Sequence, residues 1–158
     1  ISYIFLLNII CISTAVAHTE TGEKNINETL DKFHQAAANA ELDIYFSLFA
    51  DNAVFLGTDG NERWTKSEFK AYVEPLFKKN IGWLYTSTER NITQITGKRV
   101  AFFDEKLNNK NYGHCRGSGV LIKTKQGWKI SQYNLSVPVP NAISADIVQK
   151  IQQHHDKR

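Results

Sequence analysis

His114 and Arg116 stand two residues apart in the run Tyr112–Lys123. Alternate side chains of an extended chain share a face. Tyr112, His114, Arg116, Ser118, Val120 and Ile122 therefore line one side, and Gly113, Cys115, Gly117, Gly119 and Leu121 the other. One face is nearly bare. The other joins an imidazole, able to orient a ligand or move a proton near neutral pH, to a planar guanidinium fork suited to a carboxylate. Glycines weaken a strand unless it bends or something packs close, and a bend closing the sheet over its helices is the expected reason for these. If the polar face is the inner one, His114 and Arg116 line a pocket. If it is the outer one, they pair with Asp104 or Glu105 of the neighbouring run, a cross-strand contact of about 0.2–1 kcal/mol.

Asp59, Glu62, Arg63 and Trp64 make a second cluster, in and after a turn that follows a buried strand. Trp64 offers an apolar wall, and Asp59 or Glu62 could accept a proton if burial raised its pKa. In the competing reading Asp59 closes an Asx turn and Glu62 pairs with Arg63. Asp59, Asp104 and His114 are the candidate general bases. Tyr133 and Asn134 are neighbours in the last strand, so strict alternation sets them on opposite faces: Asn134 with Trp128 and Ile130, Tyr133 with Ser131, Leu135 and Val137. Either could orient a ligand. Cys115, between small neighbours, reads as a packed thiol. The tail pair His154-His155 lacks the geometry of a metal site. No phosphate-binding glycine loop, zinc spacing or serine-centred nucleophile motif occurs, so no cofactor and no metal are expected. Asn27, Asn91 and Asn134 head glycosylation sequons in form, which matter only in a eukaryotic secretory route.

The elements that must position these groups follow from spacing. Ile26, Leu30, Phe33, Ala37 and Ala40 recur at helical steps, with Asn25 or Asn27 available as N-cap. A short helix over Leu42–Phe49 and a buried strand over Ala53–Gly57 come next. Thr65 and Glu68 have the spacing of a capping box, opening a helix through Phe77 that Pro75 should bend or shorten. Four runs, Trp83–Ile95, Val100–Leu107, Tyr112–Lys123 and Trp128–Val137, are separated by turn chemistry and read as an antiparallel meander. A closing helix carries Ile143, Ile147, Val148 and Ile151.

With 158 residues and 18.0 kDa the chain makes one domain with a proper core. Its net charge of +3 is not gathered into a basic run, so nucleic acid is not an expected partner. Residues Ile1–Ala17 carry no charge, and the apolar run Ile4–Ile12 is too short to span a bilayer. It ends in Ala15-Val16-Ala17, the small-x-small pattern of a signal-peptidase site, so cleavage after Ala17 and a secreted or periplasmic destination are expected. The absent initiating Met and basic n-region imply that the sequence begins a few residues into the natural chain. Ile10 before Cys11 rules out a lipobox. After cleavage Cys115 is the one thiol, leaving no intramolecular disulfide. The expected organisation is a signal peptide at 1–17, a flexible lead-in at 18–25, one domain at 26–153 and a polar tail at 154–158.

Leu48-Phe49-Ala50-Asp51-Asn52-Ala53-Val54-Phe55, Gly57-Thr58-Asp59 with Glu62-Arg63-Trp64, Trp128-Lys129-Ile130 and Tyr133-Asn134-Leu135-Ser136 together resemble the SnoaL-like branch of the nuclear-transport-factor-2-like superfamily. The resemblance covers about residues 27 to 144. It implies an α+β cone, with N-terminal helices packed on a curved antiparallel sheet, a pocket between them, and a homodimer formed through the sheet. It does not imply one activity, since the superfamily holds isomerases, dehydratases, hydrolases, cyclases and binders without chemistry. The expectation is an exported domain that binds a small, partly apolar molecule with room for an anionic group, using Asp59, Glu62, Trp64, His114, Arg116, Tyr133 and Asn134. The alternative is a lyase, isomerase or hydrolase working by general acid/base catalysis.

Overall fold

The computed structural model describes residues 9–95, 97 and 99–156, with side chains from residue 22 onward. Ile1–Asn8, the first part of the expected export signal, lie outside the described residues. Among the described residues, four α-helices, one short 3-10 turn and one six-stranded sheet make up the fold. Helix α1 spans Ile9–Ala38 and so begins well before Ile26, taking in the polar segment 18–25. Its inward stripe is Ile26, Leu30, Phe33 and Ala37, all buried, as the spacing predicts. Helix α2 is Leu42–Ser47 and α3 is Lys66–Phe77. Thr65 caps α3 in both directions: its hydroxyl accepts from the Glu68 N–H at 3.3 Å, and the Glu68 carboxylate accepts from the Thr65 N–H at 2.8 Å. The helix stops two residues after Pro75, with Asn80 in the left-handed region at φ 55°.

The strands are β1 Phe49–Leu56, β2 Arg63–Thr65, β3 Thr86–Gln94, β4 Val100–Asn109, β5 Gly113–Thr124 and β6 Gly127–Ser136. Their order across the sheet is β2-β1-β6-β5-β4-β3. The run β3 to β6 is the expected antiparallel meander. β1 joins it in parallel beside β6, and β2 flanks β1 antiparallel. Helices α1, α2 and α3 cover the inner face, where an aromatic core gathers Phe33, Tyr45, Phe49, Phe55, Phe69 and Tyr133. Each such aromatic buries about 150–250 Å². Helix α4, Ser144–His155, follows the sheet and leaves Val148 and Ile151 exposed.

Register decides which side chains face the helices. In β4, Ala101, Phe103, Glu105 and Leu107 are buried, and across from them in β5 lie Leu121, Gly119, Gly117 and Cys115. The glycine-rich face of β5 is therefore the inner one. His114 and Arg116 stand on the outer face. In β6 the pairing shifts at Ser131: Val120 faces Gln132, but Leu121 faces Ile130. This bulge resets the alternation, so Trp128, Ile130 and Tyr133 are all buried on one side. The strict alternation read from the sequence is corrected here. Tyr133 shares a face with Trp128 and Ile130, and Asn134 faces outward beside Ser118.

Candidate functional site

The inner face of the sheet carries two apolar layers with a polar one between them. The main core reaches Phe103 and Tyr133. A satellite of Tyr85, Leu107 and Cys115 lies beyond, and partly buried Trp83 and Leu135 pack against both. Between Phe103 and Leu107 on β4 sits Glu105, only 1% exposed. An unpaired carboxylate there would cost several kcal/mol, so its partners define the site.

Glu105 is fully partnered. Its Oε1 accepts the Tyr133 hydroxyl at 3.0 Å and meets Nε2 of His34 at 2.7 Å. Its Oε2 accepts Nε of Arg90 at 2.9 Å and forms an ion pair with Nη2 at 2.9 Å. Arg90 lies directly opposite Glu105 on β3. Its Nη1 reaches back to α1, donating to Asn27 Oδ1 at 3.0 Å and Asp31 Oδ1 at 2.8 Å. Asn27, Asp31 and His34 are spaced four and three apart, one stripe of α1. Helix α1, β3, β4 and β6 thus meet at one carboxylate.

Burial pushes the Glu105 carboxyl up, but the hydrogen bond and charge of His34 and then those of Arg90 outweigh it and hold it below the ordinary range. Glu105 is ionised near neutrality. Burial first, then the Glu105 charge and hydrogen bond, push the Tyr133 phenol well above its usual value, so it remains a donor. Burial also raises the Tyr85 phenol to about 12, with Cys115 and Tyr112 adding to it, and raises the Cys115 thiol. An ionised carboxylate only accepts. Nε2 of His34 must therefore carry a proton whether the ring is charged or neutral, and only the neutral ring leaves Nδ1 with a lone pair. The carboxylate thus selects the tautomer of the neutral ring, the form in which Nδ1 is an acceptor.

Gly117 makes room for this arrangement. A Cβ there would collide with the Tyr133 hydroxyl and stand 2.8 Å from Glu105 Oε1. The bare face of β5 is where the polar layer packs.

The structure separates most of the residues singled out in the sequence. Asp59 is exposed in an Asx turn, its Oδ1 accepting the Asn61 N–H at 2.9 Å, and Glu62 accepts the Asp59 N–H at 3.1 Å. Asp104 is exposed on the outer face and accepts from Asn91 at 3.2 Å. His114 is exposed and meets Asn108 Oδ1 at 2.8 Å. Arg116 is exposed opposite Lys106 and Ser136, so neither it nor His114 makes the anticipated pair with Asp104 or Glu105. The offset of register places Ser118, not Arg116, across from Asp104. Trp64 is half-buried, stacked on Phe69 at 5.6 Å and Tyr72 at 5.2 Å. It connects to Tyr133 through Phe55, at 6.2 Å and 5.7 Å between ring centres. Tyr133 alone of those candidates reaches the polar layer.

His34, Glu105 and Arg90 were not among the sequence candidates, though two left a trace. Glu105 interrupts the inward row Ala101, Phe103, Leu107, and His34 falls four residues after Leu30 on the apolar stripe of α1. Arg90 left none, because β3 alternates too weakly to reveal an inner face. Among the described residues no group of three His, Cys, Asp or Glu side chains could hold a metal ion. No described helix is long and apolar enough to cross a membrane.

The SnoaL-like domain family matches residues 26–140. Curated protein sequences give no significant match. Solved structures with the same fold include a nuclear-transport-factor-2-like protein with a cystatin-like fold from Novosphingobium aromaticivorans, 10% identical with a TM-score of 0.67 over 89% of this chain and 97% of that one. A nuclear-transport-factor-2-like protein of unknown function from Pseudomonas putida aligns at 12% identity and a TM-score of 0.64, covering 77% and 90% of the two chains. A candidate dehydratase of the same family from Streptomyces avermitilis aligns at 15% identity and a TM-score of 0.62, covering 77% and 99%. The chain belongs to the SnoaL-like domain family.

Proposed function

We propose that this SnoaL-like domain binds a small, partly apolar molecule at the polar layer of its cone, and that the ligand presents a hydrogen-bond donor to Nδ1 of His34. The observation that carries the reading is the 2.7 Å contact between His34 Nε2 and a buried, ionised Glu105. It commits the neutral ring to one tautomer and makes the other nitrogen an acceptor amid aromatic walls. Few convergent polar groups in an apolar surround are what small-molecule sites present. Tyr45, stacked on Phe33 at 4.9 Å, adds a buried hydroxyl beside Trp83. An anionic ligand has less support at this place than the sequence suggested. Arg90 is answered by both Glu105 and Asp31, which leaves no cation to spare.

Two further parts of the reading rest on sequence and surface. The uncharged Ile1–Ala17 with its Ala-Val-Ala ending supports export, with the mature domain acting outside the cytoplasm. The outer face of the sheet sets Phe102, 48% exposed, beside Val120, with Val54 beyond Gln132. This apolar row supports a homodimer through the sheet.

A second reading is favoured by the same dyad. A histidine held by a carboxylate is the arrangement of a general base. His34 Nδ1 would take a proton from a substrate O–H or activated C–H, and Glu105 would stabilise the imidazolium formed. The candidate dehydratase among the structural relatives is compatible with this. One experiment addresses both readings: a thermal-shift screen of His18–Arg158 against neutral hydroxylated terpenoids, sterols and aromatic metabolites. A ligand at one hundred times its Kd adds about 2.7 kcal/mol of stability. The expected result is a hit that His34→Leu abolishes, followed by assay of that compound for turnover. Hits that survive His34→Leu, or silence with controls behaving, would overturn the placement of the site.

A further inference from the structure

A cavity lies where β1 leaves the sheet. Phe49 pairs with Ile130 and Val54 with Gln132, so β1 holds three more residues than β6 over this stretch, and Asp51 and Asn52 loop outward. The gap is a cavity of about 500 Å³ whose lining includes Asp51, Asn52, Lys66, Lys125, Gln126 and Lys129, with Ile122 and Phe49 as apolar floor. Two of its lysines are tied down by main-chain carbonyls. Nζ of Lys66 donates to Phe49 O at 3.1 Å, and Nζ of Lys129 donates to Ser47 O at 2.6 Å. Each ammonium has three N–H groups, so each keeps donors for a ligand. The one carboxylate near them, Asp51, stands 3.7 Å from Lys66 with its side chain fully in solvent. Among the described residues neither Lys125 nor Lys129 has an ion-pair partner.

We infer that this cavity is a site for a tetrahedral oxyanion, a phosphate or sulfate group, separate from the polar layer inside the cone. Three point charges suit such a group, whereas a planar carboxylate is matched best by a guanidinium fork, which this cavity lacks. Anchoring Lys66 and Lys129 to carbonyls removes part of the side-chain ordering cost that anion binding would otherwise carry. Amide donors from Asn52 and Gln126 add directionality at the rim. The ligand is either the free ion or a small phosphate ester whose organic part lies on Ile122 and Phe49.

The test is an NMR titration of the ¹⁵N-labelled chain with inorganic phosphate, sulfate, methyl phosphate and acetate, each at constant ionic strength. Saturable shifts at Asn52, Lys125 and Gln126 with phosphate and sulfate, and binding of acetate at least tenfold weaker, are expected. Methyl phosphate binding more tightly than inorganic phosphate would assign an ester, and the reverse the free ion. Lys129→Met should raise the Kd about tenfold. Lys125→Glu, at an exposed turn position, should do the same without disturbing the fold. Shifts that grow linearly, that acetate reproduces, or that Lys125→Glu leaves unchanged would reduce the effect to screening and overturn the site.

Discussion

The two faces of strands β4 to β6 differ in a way their composition does not announce. The outer face holds the side chains that look reactive, Asp104, His114 and Arg116, and solvent reaches all three. The inner face of β5 offers two glycines and a cysteine, yet it is there that Glu105, His34, Tyr133 and Arg90 close into one buried network. A charged group in water is cheap and weakly directed, whereas the same group buried must be matched atom by atom. The empty face is the informative one because glycine leaves room for side chains from neighbouring elements.

The comparison breaks most readily at Glu105. Glu105→Ala strands Arg90 in the interior and should cost about 3–5 kcal/mol in urea denaturation. Asp104→Ala, its outward neighbour, should stay within about 0.5 kcal/mol. Equal losses would erase the distinction between the faces. Next comes Gly117→Ala, whose new Cβ would collide with Tyr133 and crowd Glu105, for a loss of about 1–3 kcal/mol. Ser118→Ala on the outer face of the same strand should change stability by less than about 0.5 kcal/mol. Tyr133→Phe removes one donor to the buried carboxylate and should cost about 1–2 kcal/mol, against about 0.5 kcal/mol or less for Asn134→Ala.

A pH series sharpens the same contrast. Glu105 is held below its ordinary pKa in the folded chain, so unfolding takes up a proton in acid. The stability it contributes is fully present above the ordinary glutamate value of about 4.3. It is lost as pH falls through the folded value. Glu105→Gln should therefore flatten the acid side of the stability profile, measured as urea midpoint against pH. Asp104→Asn should leave that slope nearly as it was. The smallest effect belongs to His114→Ala, expected within about 0.5 kcal/mol because its hydrogen-bond partner Asn108 is also exposed.

The legibility of the sequence follows how local each determinant is. The capping box at Thr65 and Glu68, the apolar stripe of α1 and the four strand runs are set within a few residues, and all appear. The short β2 strand depends on β1 for its pairing, and the parallel insertion of β1 beside β6 is a long-range choice that no spacing encodes. The bulge at Ser131 is a single residue, yet it exchanges the faces of Tyr133 and Asn134. At the site, Glu105 and His34 each break an apolar row, a signal present in the sequence once the inner face is known. Arg90 and Asp31 gain their roles only from the register of β3 against β4 and the closeness of α1.

The central claim is that Glu105 fixes the tautomer of His34 and so the chemistry the cone interior presents. Long-range ¹H–¹⁵N correlation of the histidine rings at neutral pH measures this directly. The account predicts that His34 carries its proton on Nε2, with an Nδ1 shift typical of an unprotonated nitrogen. A proton on Nδ1 would make that nitrogen a donor and contradict the ligand proposed for the site; a proton on Nδ1 with none on Nε2 would contradict the hydrogen bond to Glu105 as well.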